Sequence, residues 1–219
     1  MDNGKVIKVY IAGDSTVQTY DKSHIPQAGW GQFIDSYFKT NINFINHSMA
    51  GRSSKSFVKE GRLNSILDAI EEKDYLLIQM GHNDAAKDKP ERYTKPYDEY
   101  KEYLKMYIDG ARKKGAIPIL ITPVATLNFD GKQFVNDFHE YCNSMKELAM
   151  EKKVKCIDLM ENSLEYFTSI GYDETYTLFM VSSNGTDYAH FNQKGAKRIA
   201  DIVSKELVKV DNIFLNYIK

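Results

Sequence analysis

Five short apolar runs, separated by stretches of helical periodicity, constrain this chain more than any other feature. The runs are Val6–Ala12, Ile42–Asn46, Tyr75–Met80, Ile117–Thr122 and Lys155–Leu159, rich in Ile, Leu, Val and Tyr and of strand length. Between them, Trp30, Phe33, Ile34, Tyr37 and Phe38 recur at helical spacing. So do Tyr97, Tyr100, Leu104, Tyr107, Ile108 and Ala111, and then Phe134, Phe138, Tyr141, Met145 and Leu148. A last helix is expected from Asn192, a suitable N-cap, with Ala196, Ile199, Val203 and Leu207 facing inward. Such alternation covers both faces of a parallel sheet. The expectation is an α/β protein: one flavodoxin-like, three-layer α/β/α domain over residues 1–219, with a five-stranded parallel sheet in the order 2-1-3-4-5. No repeat, low-complexity tract or Pro/Gly linker divides the chain.

Composition narrows the partners. Twenty-nine Lys and Arg against 30 Asp and Glu leave a formal net charge of −1. A general binder of nucleic acid or of a membrane surface would show basic bias or clustering, so neither partner is expected. No apolar run reaches membrane-spanning length, and the first residues read as a strand rather than the apolar core of a signal peptide. A cytoplasmic location is the default expectation, or a secreted one if a signal sequence has been removed. The oligomeric state is open. The two cysteines, Cys142 and Cys156, read as buried free thiols.

In parallel sheets of this type, chemistry gathers at the carboxyl ends of the strands. The first strand delivers Gly13-Asp14-Ser15-Thr16 there, the second the loop Asn46–Ser54 with Gly51, and the third Gly81-His82-Asn83-Asp84. With the first strand between the other two, Ser15 is flanked by a glycine backbone and by the Asn83 amide. Those are the donor types an oxyanion hole needs. A base comes from far along the chain, in Asn184–Ala196, where Asp187 and His190 stand three residues apart. On a helical turn they share one face. Asp187 would then accept the Nδ1–H of His190, while Nε2 takes the Ser15 proton.

The blocks Gly-Asp-Ser-Thr, Gly51-Arg-Ser-Ser, Gly-His-Asn-Asp and Asp187-Tyr-Ala-His resemble, in order, the four signature blocks of the SGNH/GDSL hydrolase superfamily. Pro26–Gln32, Ala50–Arg62, Thr122–Val124, the Asn-Phe-Asp-Gly-Lys run and Asp187–Ala196 look like its rhamnogalacturonan acetylesterase branch. The resemblance implies Ser15 as nucleophile, His190 as base and Asp187 as its orienter. It also implies an oxyanion hole from the Ser15 and Gly51 N–H groups and the Asn83 side chain. The activity implied is deacetylation of a carbohydrate, foremost pectic rhamnogalacturonan oligosaccharides, through an acetyl-enzyme, with no cofactor and no metal. One departure stands out: Ala125-Thr126-Leu127 occupies the place where that branch carries an arginine, which points toward a neutral acetylated sugar.

Each residue also has a plainer reading. Asp14 is expected as a turn former rather than the catalytic acid, and His82 as a hydrogen-bonding neighbour of the site rather than a second base. Trp30, the only tryptophan, suits core packing better than stacking on a sugar. Asp187, His190, His82 and Asp84 could together suggest metal ligands, but no zinc spacing supports it. Three alternatives to the acetylesterase therefore remain: a lysophospholipase or thioesterase acting on longer acyl esters, a non-catalytic carbohydrate-binding protein, and a metal-dependent hydrolase.

Overall fold

The computed structural model describes residues 6–219; residues 1–5, with which the expected domain begins, lie outside the described residues. Five parallel strands form one sheet: β1 (Ile7–Gly13), β2 (Ile42–Asn46), β3 (Tyr75–Gln79), β4 (Ile117–Ile121) and β5 (Lys155–Ile157). Their order, β2-β1-β3-β4-β5, is the one expected from the sequence. Register brings Ile11 beside Asn46 and Gly13 beside Gln79, so the ends of the three strands that precede the signature loops stand level.

Strand residues alternate between two cores, as the two-residue period of a pleated strand demands. Val9, Ile11, Tyr75, Leu77, Ile119 and Ile121 face one layer, while Tyr10, Ala12, Leu76, Ile78 and Leu120 face the other. The first layer is closed by α5 (Leu159–Tyr176) and α7 (Gln193–Val210). The second is closed by α1 (Ser54–Lys59), α2 (Arg62–Ala69), α3 (Lys101–Lys113) and α4 (His139–Lys152). A short α6 (Val181–Asn184) precedes the loop that carries His190. Asn192 caps α7 as expected, its side chain accepting the Gly195 N–H, and Ala196, Ile199, Val203 and Leu207 are buried. No helix of the described residues is long and apolar enough to cross a membrane.

Two expected helices differ. The stripe from Trp30 to Phe38 forms two short 3-10 turns, Trp30–Gln32 and Ile34–Tyr37. The segment is pressed onto the turn after β1: Trp30 N–H donates to Thr16 O, and a Cβ on Gly29 or Gly31 would lie 2.4–2.5 Å from backbone atoms of Val17 or Gln18. That close approach fixes how the segment enters, and its following N–H groups close tight turns onto residues three back: Gln32 onto Gly29 O, Phe33 onto Trp30 O, Ser36 onto Phe33 O and Phe38 onto Asp35 O. In the second case, α4 starts only at His139, and Phe134 packs from the preceding loop against Phe129 and Phe167. Tyr97, placed on an inward stripe by its spacing, is exposed. Of the two free thiols, Cys142 is buried and Cys156 only partly so.

Candidate active site

Gly13 ends β1 where no side chain fits: a Cβ there would meet Val17 at 2.8 Å and Ser48 Oγ at 2.9 Å. The chain then turns, with Val17 and Gln18 N–H donating to Asp14 O, and Ser15 stands half-buried at the turn. Beneath Ser15 runs a buried polar chain. Trp30 Nε1 donates to Gln79 Oε1 (2.7 Å), Gln79 Nε2 to Thr16 Oγ1 (2.7 Å), and Thr16 Oγ1 to Asp14 Oδ1 (2.8 Å). His82 Nδ1 completes it at Asp14 Oδ2, 2.8 Å away. Every member is satisfied, which is the condition under which a buried polar network rigidifies its surroundings. Asp14 is thus the turn former expected from its position, fully buried and out of reach of a substrate. Trp30, also offered as a sugar-stacking candidate, is fully buried, and a fully buried indole cannot stack on a sugar. It packs in the core, as its apolar neighbours suggested.

His82 holds acceptors at both ring nitrogens, Asp14 at Nδ1 and Val124 O at Nε2 (2.9 Å). A carboxylate and a carbonyl can only accept, so both nitrogens donate and the ring is an imidazolium. Burial works against both charges, yet the mutual attraction and hydrogen bonds prevail. Asp14 is held below the ordinary carboxylate range, and His82 above the ordinary imidazole range. The signs set a pH window. The His82 contribution to stability is complete below about 6.5 and is lost as pH rises through the raised folded value; the Asp14 contribution is complete above about 3.9 and is lost as pH falls through the lowered one. Thermal melts of the protein and of His82→Gln should therefore differ most between those limits and converge outside them.

The second half of the site is built locally. Asp187 Oδ1 accepts the N–H groups of Ala189 and His190, and Oδ2 stands 2.8 Å from His190 Nδ1. Residues 185–190 form bends rather than a helical turn, so the expected helical geometry is replaced by an Asx turn at the same spacing. The loop is fastened from both ends: Val181 N–H donates to Asp187 O and Met180 N–H to His190 O, while Ala28 N–H donates to Phe191 O. Burial raises the Asp187 carboxyl, but the hydrogen bonds and charge of His190 outweigh it and hold it below its usual range. His190 Nε2 lies 2.9 Å from Ser15 Oγ. Ser15, His190 and Asp187, 175 and three residues apart in pairs, form one hydrogen-bonded line.

On the β2 side, Gly51 has φ +76°, a conformation glycine adopts freely, and its loop is held to β1 by Met49 N–H donating to Gly13 O. Neither the Ser15 N–H nor the Gly51 N–H has a protein acceptor among the described residues. Asn83 Nδ2 donates one hydrogen to Arg52 O (3.2 Å), which leaves the other unused. Asp84 anchors this region from below, fully buried, accepting from Ser54 N–H (3.0 Å) and Thr94 Oγ1 (2.8 Å); burial pushes its carboxyl up to about 6. On the opposite, β4 side, a groove of about 610 Å³ opens beside His190. Its wall mixes apolar surface from Leu127, Tyr188 and Ala189 with a polar cluster: Asp137 takes hydrogen bonds from Thr126 Oγ1 (2.7 Å) and Asn128 Nδ2, and Tyr188 is exposed.

Sequence reasoning missed Gln79 and Thr16 as parts of the site. A glutamine inside the otherwise apolar run Tyr75–Met80 was the available signal, since a central strand of a parallel sheet tolerates a polar residue only with a buried partner. Arg92, whose guanidinium reaches Gly51, lies in a segment without periodicity and gave no signal. Among the described residues no three His, Cys, Asp or Glu side chains group to hold a metal ion.

A parallel five-stranded α/β/α sheet with such a constellation at its carboxyl edge is the architecture of an α/β ester hydrolase. The chain belongs to the GDSL-like lipase/acylhydrolase family, whose model matches residues 9–203. It is 56% identical over 197 residues to the probable rhamnogalacturonan acetylesterase YesY of Bacillus subtilis, covering 90% of each chain. It is 38% identical over 211 residues to the rhamnogalacturonan acetylesterase RhgT of the same organism, covering 92% of this chain and 89% of that one. The crystal structure of YxiM, also from Bacillus subtilis, superposes with a TM-score of 0.82 at 33% identity, over 93% of this chain and 56% of that longer one. The branch of the superfamily read from the sequence blocks agrees with these relatives.

Proposed function

We propose that the chain deacetylates carbohydrate, foremost oligosaccharides of acetylated rhamnogalacturonan, by way of an acetyl-enzyme on Ser15. The observation that carries this reading is the 2.9 Å contact between Ser15 Oγ and His190 Nε2, with Asp187 behind the ring. Ser15 Oγ attacks the acetyl carbonyl as its proton passes to Nε2. The carbonyl oxygen becomes an oxyanion facing the Ser15 and Gly51 N–H groups and the unused Asn83 N–H. Collapse breaks the bond to the sugar oxygen, which takes the proton from His190. Water, giving its proton to the same nitrogen, then attacks the acetyl-enzyme; the bond to Ser15 Oγ breaks, Oγ takes that proton back from His190, and acetate leaves. The names of the 56% and 38% identical relatives support rhamnogalacturonan as the substrate. In the groove beside His190, the hydrogen-bonded cluster of Thr126, Asn128 and Asp137 supplies polar partners for a hydroxylated leaving group.

Acetate release from acetylated rhamnogalacturonan, xylan and neutral oligosaccharides tests the substrate, together with p-nitrophenyl esters of increasing chain length. Acetyl esters should be turned over best; a preference for octanoyl over acetyl would replace this reading with a lipase or thioesterase. Asn83→Ala should lower kcat by about 10²–10³, the scale for one lost oxyanion donor. A loss confined to KM would reassign Asn83 to substrate binding.

A further inference from the structure

We infer that Arg92 is a specificity-determining residue, receiving a carboxylate on the sugar that carries the ester; the inference rests on the acetylesterase reading above. The Arg92 guanidinium lies over the oxyanion-side loops, with Nη1 and Nη2 both 3.3 Å from where a Gly51 Cβ would be. Its protein contacts are long: Nη1 to Asn83 Oδ1 at 3.5 Å, and Nε to the exposed Glu91 carboxylate at 3.5 Å. A guanidinium presents five donors in a planar fork that matches a carboxylate two at a time. Here that fork is half-buried beside the reaction centre without a short partner.

Its backbone, by contrast, is fixed. Arg92 and Tyr93 N–H both donate to Lys89 O, and Thr94 N–H donates to Asp84 O. Lys55 Nζ donates to Pro90 O and Tyr93 O, adding a cation held only by carbonyls. The local charge on the β2 side therefore favours an anion. The groove on the β4 side has the opposite sign, because Asp137 and Asp187 both line it. A uronate placed with its carboxylate toward Asp137 would meet like charge, and turned the other way it meets Arg92. On this inference Arg92 takes the part of the guanidinium absent from Ala125-Thr126-Leu127, and an acidic sugar is favoured over the neutral one that gap alone suggests.

The test compares kcat/KM for an acetylated methyl galacturonoside and for its carboxyl methyl ester, in the wild type, Arg92→Gln and Arg92→Lys. The wild type should prefer the free acid, with a preference that shrinks as salt rises. Arg92→Gln should cut the acid-to-ester ratio by about 10- to 100-fold, mostly through KM, the range for a hydrogen bond to a charged group. Arg92→Lys should fall between, keeping the charge but not the fork. An unchanged ratio in Arg92→Gln overturns the inference; a parallel loss of kcat on both substrates would make Arg92 a positioning residue for Asn83. A wild type indifferent to the carboxylate overturns it too. Failure of the underlying reading is distinct: neither sugar ester would release acetate while p-nitrophenyl octanoate is hydrolysed, and the inference would fall with it.

Discussion

Ser15→Ala is expected to lower kcat by a factor on the order of 10⁶, the scale seen when a serine hydrolase loses its nucleophile. It should also abolish labelling by a fluorophosphonate probe. The size of the effect follows from what remains. His190 keeps its place, because Asp187 and the backbone of Met180 hold it independently of Ser15. The groups proposed as oxyanion donors also stay, since Gly51 and Asn83 belong to other strand ends. Only the atom that forms the acetyl-enzyme is gone, so residual turnover must come from direct attack by water in a site still able to polarise the ester. Stability should change little, since Ser15 is half-buried and its Oγ has His190 as partner. A variant that melts normally, still binds product and turns over at less than a thousandth of the wild-type rate fits the mechanism. Wild-type-like turnover or labelling would remove Ser15 from the nucleophile's role.

Much of this arrangement is legible in the sequence because it depends on periodicities that survive folding. The runs of β3 and β4 are apolar on both faces, so they could be found without knowing their neighbours, and the runs of β1, β2 and β5 fall into place around them with their loops. The N-cap at Asn192 is likewise local chemistry. What the sequence concealed depends on long-range contact. Trp30 to Phe38 has helical spacing, but Gly29 and Gly31 press that segment onto Val17 and convert it to 3-10 turns. Gln79 gains its meaning only when β3 brings it between Trp30 and Thr16, both from the connection between β1 and β2. Spacing alone is also ambiguous: Asp187 and His190 meet at three residues' separation through an Asx turn, where a helical turn would have served equally.

The buried chain from Trp30 to His82 gives the Ser15 turn a rigid floor, and its chemistry separates two aspartates that proximity alone would confuse. Asp14 is adjacent to Ser15 in sequence, yet both its oxygens are taken by Thr16 and His82, facing away from solvent. Its charge is offset by an imidazolium that it holds at 2.8 Å. Asp187 is far along the chain but partly exposed at the groove, and its ring partner is the one that touches Ser15. Two Asp–His pairs thus sit at one strand edge with different tasks. The pair at Asp14 is closed on itself, and the pair at Asp187 opens onto Ser15 Oγ.

Asp187→Asn tests that separation, with an expected fall in kcat on the order of 10⁴. The substitution is nearly isosteric, and an amide oxygen at the Oδ1 position still accepts the Ala189 and His190 N–H groups that shape the turn. The amide NH₂ then occupies the Oδ2 position facing His190 Nδ1. Two donors cannot face each other, so the imidazole places its proton on Nε2 and offers Nδ1 as acceptor. Nε2–H now points at Ser15 Oγ and cannot take its proton. The base is lost through the wrong tautomer, although no atom has moved far. Asp187→Ala removes the turn as well as the charge, so it should lower the melting temperature where Asp187→Asn leaves it nearly unchanged. Asp14→Asn should show the reverse balance, because it breaks a buried ion pair beneath a site whose reacting groups stay intact: stability should fall by about 3–5 kcal/mol, the cost of stranding one partner. Chemical denaturation of both asparagine variants beside their kcat values checks the assignment, and a larger kcat loss for Asp14→Asn would reverse the roles of the two aspartates.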